Sequence, residues 1–165
     1  MNSWLKTIWD NREKRLNIGL CLILILCIAA VYAQTVGFDF IDYDDQIHVI
    51  NNPMVPGGLT WNGIKWAFTT SHAGYWCPLT WISFMLDRDI YGMRAAGFHL
   101  TNVLLHIANT LLLFWVLRRY SKALYPSFFV AAIFGLHPLH VESVAWVTER
   151  KDVLSTLFWM LTMLA

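Results

Sequence analysis

The chain has 165 residues, 57% of them hydrophobic and 14% charged, with a net charge of +1. That is far from the roughly half apolar, quarter charged mixture of a soluble domain, and it reads as a membrane protein. No cluster of Lys and Arg interleaved with aromatics is present, which excludes a nucleic-acid surface. Cys21, Cys27 and Cys77 offer neither a disulfide framework nor a CxxC metal pair.

Residues 1–15 carry Lys6, Arg12, Lys14 and Arg15 and precede the uncharged run LNIGLCLILILCIAAVYA at 16–33. At 1.5 Å per residue that run reaches about 27 Å, close to the hydrocarbon thickness of a bilayer. Residues 16–36 are therefore predicted as a first transmembrane helix with a cytoplasmic N-terminus, by the positive-inside rule. A cleavable signal peptide is the rival reading, because Val31 and Ala33 suit a cleavage site.

Residues 37–96 follow as an extracytosolic loop. The stretch FDFIDYDDQIHVINNPMVPGGLT is turn-rich and concentrates Asp39, Asp42, Asp44 and Asp45 just beyond the first span. In WNGIKWAFTT, Trp61, Ile64 and Phe68 recur at i, i+3 and i+7 behind Thr60 as N-cap, which predicts a short helix lying in the membrane interface. A small soluble subdomain is the alternative.

The second span, 97–117, ends in Arg118 and Arg119, so 118–123 reads as cytoplasmic. Within it His99, Asn102, His106 and Asn109 share an arc of about 80° at roughly 100° per residue. Such a stripe faces protein or water, either for helix–helix hydrogen bonding or, at His99, for substrate contact. A third span at 124–137 carries Pro126 in its first turn and is short, so it draws on 121–137 or sits where the membrane is thin or protein-lined. Residues 138–152 return to the extracytosolic side, and 153–165 begin a fourth span. That last apolar segment has about 13 residues where a span needs about 20, so the chain is expected to be a fragment.

Span counting puts both loops on one side, and the candidate chemistry gathers there. Asp44 and Asp45 are paired carboxylates at the membrane surface, able to serve as general base and metal ligand, or to stand as solvated turn residues. His137 and His140 have HxxH spacing around Pro138 but lack the HExxH arrangement of a zinc site. Glu142, Arg150, Lys151 and Asp152 make a set in which cations could hold a phosphate and stabilise its departure, or pair among themselves in a plain interfacial loop.

The runs GYWCPLTWISFMLDRDIYG, GFHLTNVLLHIANTLLLFWVLRR and HPLHVESVAWVTERKDVLS resemble the N-terminal membrane region of bacterial multi-spanning proteins with tetratricopeptide repeats. Those are relatives of the transmembrane O-mannosyltransferases in the GT-C glycosyltransferase superfamily, and the similarity runs from about Phe38 to the end of the chain. The resemblance implies an all-α, GT-C-like membrane enzyme that moves a sugar from a polyprenyl-phosphate donor to a hydroxyl on a protein or glycan acceptor. It implies a catalytic acidic pair, carried here by Asp44 and Asp45. It also implies a second-loop group for donor or acceptor binding, carried here by His137, His140, Glu142, Arg150, Lys151 and Asp152, beside which His99 stands as the candidate contact from the second span. Magnesium or manganese, where used, would sit on Asp44, Asp45 and Glu142. The implied location is a bacterial inner membrane, crossed several times, with 37–96 and 138–152 periplasmic and membrane lipid as a partner. The family often has histidine where this chain has Cys77 and Phe84, and no helical repeat of about 34 residues occurs here. A membrane scaffold or interaction protein without chemistry, as an inactive fragment of that family, is the alternative function. A transporter is the weaker third reading, since no ionisable residue other than histidine lies within a predicted span.

Overall fold

The computed structural model describes residues 3–165, with side chains from Asn11 onward; Lys6 of the N-terminal charge cluster lies outside the described side chains. Seven α-helices run through these residues: α1 (Ser3–Tyr32), α2 (Trp61–Thr69), α3 (Pro78–Tyr91), α4 (Ala95–Ser121), α5 (Leu124–Leu136), α6 (Val141–Ala145) and α7 (Arg150–Leu164). Short 3-10 or π turns connect them, and the β-type pairing found among the described residues is a single bridge between His72 and Tyr75. The chain is all-α. In lipid a backbone has no water to bind, and a helix satisfies its own amides and carbonyls.

Among the described residues two segments are long and apolar enough to cross a membrane, Asn11–Gly37 and Ala95–Ser121. The third expected span is shorter: α5 reaches span length only together with Pro138–Ala145, across a 50° bend. Pro138 causes that bend, because it has no N–H to continue α5 and holds His137 extended at φ −71°, ψ 132°.

α1 and α4 run antiparallel. The Glu13–Arg118 ion pair ties one end, and at the other the Tyr32 ring meets His106 edge-on at 5.4 Å. Leu24, Ile28 and Tyr32 are buried where α1 packs on its neighbours. α5 returns antiparallel to α4, and α7 runs the same way as α4. The polar stripe of α4 bonds these neighbours. Asn102 Nδ2 donates to the Trp146 carbonyl at 3.0 Å, His106 Nε2 to Gly135 at 3.0 Å and Asn109 Nδ2 to Val153 at 2.8 Å. In a setting without water, such groups are stable only when paired.

At the end of the bundle where α4 begins, the long first loop folds over a core of its own. Val49, Val55, Ala67, Trp81, Phe84 and Met85 pack there with Phe98 of α4 and Val147. α2 is thus one part of a packed unit and not an isolated helix. α2 begins as the sequence predicts, with the Thr60 hydroxyl accepting the Gly63 amide at 3.0 Å. It buries Gly63 and Ala67 and turns Trp61 (78% exposed) and Phe68 outward, the disposition of an aromatic belt residue. α3 starts at Pro78, where a missing N–H costs nothing. Gly58, at φ +78°, is required twice over: a side chain is strained there, and its Cβ would lie 2.0 Å from Asp89 Oδ1.

Candidate functional site

Asp44 and Asp45 sit on a helical turn, where successive side chains point about 100° apart, so the two carboxylates part company. Asp45 turns inward and has no solvent exposure. Its Oδ2 accepts the Ile41 amide at 2.9 Å, while Oδ1 accepts the Thr148 amide at 3.0 Å and also the Thr148 hydroxyl. This one carboxylate therefore closes its own turn and ties the first loop to the segment before α7. Asp44 is half-buried and turns to a small half-open cavity of about 60 Å³, shared with His48, Tyr75, Thr80, Thr148, Glu149 and Lys151.

The run Thr148-Glu149-Arg150-Lys151 supplies the other wall. Arg150 is fully buried and directed away from the cavity. Its Nε donates to Asn102 Oδ1 at 2.7 Å, Nη2 to the Phe98 carbonyl at 2.6 Å, and Nη1 to Asp87 and to Ser83 Oγ. The Phe84 ring lies 4.8 Å from its central carbon. Four of the five guanidinium donors are thus engaged inside the protein, so Arg150 anchors α7 to α3 and α4 rather than offering itself to an anion. Asp87 takes the Thr101 hydroxyl on its other oxygen at 2.7 Å. Burial pushes the Asp87 carboxyl above the usual carboxylate range, and Arg150 and Thr101 pull the other way.

On either side of this anchor, Glu149 and Lys151 line the cavity and pair with each other, Lys151 Nζ donating to Glu149 Oε1 at 2.7 Å. Lys151 is the cation that the cavity presents. His48, one turn beyond Asp44, is held below the ordinary imidazole value by burial first and by neighbouring His72 second, which keeps it neutral at pH 7. Burial likewise pushes the Cys77 thiol up. The residues that sequence reasoning missed are Glu149, His48 and Asp87. Glu149 stood inside the quoted TERKD run, and His48 is four residues from Asp44, the spacing of one helix face. Asp87 carries no local sequence signal.

The other predicted site residues fall outside the cavity. His99 is sealed in the bundle against the edge of Phe38, with no ring nitrogen in a hydrogen bond of ordinary geometry, and does not reach the surface as substrate contact would need. His137 is exposed, and its Nδ1 accepts the Leu139 amide at 3.2 Å, shaping the turn at Pro138. His140 packs on Phe134 with ring centres 4.5 Å apart. Glu142 is exposed on α6, and Asp152, also exposed, accepts the Ser143 hydroxyl at 3.0 Å. The expected magnesium or manganese set does not assemble: among the described residues no three His, Cys, Asp or Glu side chains converge. Both Asp45 oxygens are taken by protein donors, and Glu142 is not part of the cavity wall.

Comparison with known proteins gives relatives among the protein O-mannosyl-transferases. The chain is 34% identical over 154 residues to the Protein O-mannosyl-transferase Tmtc2 of Drosophila melanogaster, covering 88% of this chain and 16% of the relative. It is 36% identical over 146 residues to TMTC2 of Mus musculus (82% and 17%), and 33% identical over 164 residues to TMTC4 of Homo sapiens (86% and 21%). The chain is a relative of the TMTC protein O-mannosyl-transferases. It spans about a sixth to a fifth of the length of these curated relatives. No family model matches, and no solved structure does. The matches cover most of the chain. They also bear out a membrane-associated, glycosyltransferase-like relation, while the resemblance to bacterial repeat proteins in particular is not what they display.

Proposed function

We propose that the cavity is the reacting end of a glycosyl-transfer site on the extracytosolic face of the membrane, using a polyprenyl-phosphate sugar and a hydroxyl acceptor. The observation that carries this reading is the meeting of Asp44 from the first loop with Lys151 and Glu149 from the second in one cavity. Asp44 takes the proton of the acceptor hydroxyl as that oxygen attacks the anomeric carbon. The new carbon–oxygen bond forms as the bond to the phosphate oxygen breaks, with inversion, and polyprenyl phosphate departs carrying the electron pair. Lys151 meets the charge growing on that phosphate. At about 60 Å³ the cavity is several-fold smaller than the roughly 300–1,000 Å³ of a full ligand pocket, so it receives the reacting atoms and a few waters, with the lipid outside. No step runs through a metal.

Asp45 and Arg150 support this site from inside, the first by tying the loops and the second by anchoring α7. The test is mannose transfer from polyprenyl-phosphate mannose to a peptide acceptor, in membranes carrying the protein. Asp44→Asn is expected to lower turnover at least a hundredfold with thermal stability within about 0.5 kcal/mol of wild type. Asp45→Asn is expected to cost about 2–3 kcal/mol of stability, since a buried charged acceptor loses its charge-assisted bonds. Full transfer by Asp44→Asn at normal membrane levels would falsify the catalytic reading and leave the scaffold reading, which the burial of Asp45, Asp87 and Arg150 in structural ties also suits.

A further inference from the structure

Resting on the transfer reading above, we infer that Glu149 is a stand-in for the donor phosphate. It holds the Lys151 ammonium before the donor binds and is displaced when the phosphate arrives. The cavity contains one lysine and two carboxylates, yet the proposed chemistry needs one base and one cation. Asp44 fills the first role, and Glu149 is the remaining acid. Glu149 spends an oxygen on Lys151 Nζ at 2.7 Å. The pair is only partly withdrawn from solvent, with the Glu149 side chain 17% exposed and that of Lys151 36%, so an incoming anion can reach the ammonium and exchange with the carboxylate.

The backbone makes such an exchange local. Arg150, between the two, is fixed by Asp87, Asn102 and the Phe98 carbonyl, and the Glu149 amide is held by the Trp146 carbonyl at 3.2 Å. Lys151 can therefore change partner by side-chain rotation, with the chain beneath it anchored. An unpaired ammonium at a cavity that Trp81 and Phe84 also line would carry a desolvation cost that the Glu149 carboxylate offsets until substrate does so.

This role fixes a sign. A residue that merely orients Lys151 weakens phosphate binding when removed, whereas a competitor strengthens it. Two effects oppose each other: loss of a full like charge beside the phosphate favours binding, and loss of side-chain order on Lys151 opposes it. The charge is the larger, because the Glu149 side chain is only 17% exposed and solvent screens it weakly.

The experiment measures equilibrium binding of polyprenyl phosphate to the detergent-solubilised protein. Neutral polyprenol and inorganic phosphate serve as separate probes, to tell the lipid chain from the phosphate. Glu149→Gln, which keeps shape and hydrogen bonding, is expected to bind polyprenyl phosphate about tenfold more tightly, with polyprenol unchanged. Tighter inorganic phosphate binding in the same variant places the gain at the phosphate itself. Lys151→Met is expected to weaken polyprenyl phosphate binding about tenfold, and in the double variant the gain from Glu149→Gln disappears. Equal or weaker binding by Glu149→Gln overturns the inference, as does a gain that survives in the double variant. Glu149→Ala gives the same reading of sign if the glutamine variant folds poorly. The outcome is separable from the catalytic reading: that reading falls on the transfer activity of Asp44→Asn, and this one on phosphate affinity without turnover.

Discussion

A guanidinium with no solvent exposure persists only where its donors are met, and the surroundings of Arg150 satisfy that demand from three directions at once. Removing one member of such a pair leaves an uncompensated buried charge, at a cost of about 3–5 kcal/mol. Asp87 and Arg150 thus hold the α3, α4 and α7 ends together, and the exposed charges beside them are left for solvent and ligand. His48 makes a different use of burial. Its folded value lies below the ordinary imidazole value, so on acidification the unfolded chain takes up the proton first. Stability is then full above about pH 6.5, falls as the pH drops toward the folded value, and is lost below it. Thermal unfolding in detergent is expected to show a midpoint that falls as the pH is lowered through and below about 6.5, with a shallower fall in His48→Phe. An unchanged slope in that variant would show that His48 is not the group responsible.

At the level of elements, the corner between α3 and α4 shows how closely the chain folds back on itself. A Cβ on Gly97 would lie 2.3 Å from the Tyr91 Cγ, too near the backbone end of that ring for a small rotation to relieve. Gly97→Ala is expected to lower stability by about 1–3 kcal/mol through overpacking. Gly19→Ala, with nothing within 4 Å, is expected to stabilise α1 by up to about 1 kcal/mol. Thermal unfolding of the two variants side by side checks the contrast; equal shifts would mean that the corner yields more easily than its geometry says. The helices themselves were legible in the sequence because their signals are local: the Thr60 cap, the apolar run of α1 and the basic end of α4 all act within a few residues. α3 was not singled out, although Pro78 opens it, because its buried face of Thr80, Trp81, Phe84 and Asp87 mixes polar and apolar residues.

Across the whole molecule, the two loops that span counting assigns to one side are joined through Asp45 and Thr148, and the cavity forms on the seam. In a background without native cysteines, Trp61→Cys and Glu142→Cys are both expected to react with a membrane-impermeant maleimide from the same face. Lys122→Cys, at the far end of α4, is expected to react only after permeabilisation. Labelling of Trp61→Cys and Glu142→Cys from opposite faces would break the shared-side arrangement. The sequence by itself determined the membrane class, the two long spans, the start of α2, the inward-facing stripe of α4 and the loops in which charge collects. Each of these follows from hydropathy, periodicity or capping over short distances. Only the tertiary structure decided which charges are free. Asp44 and Asp45 read alike, and Glu149, Arg150 and Lys151 are consecutive. Whether each turns toward cavity or core depends on partners up to 103 residues away, Asp45 on Thr148 and Arg150 on Asp87. Burial of a charge is settled by what surrounds it, and no local pattern carries that information.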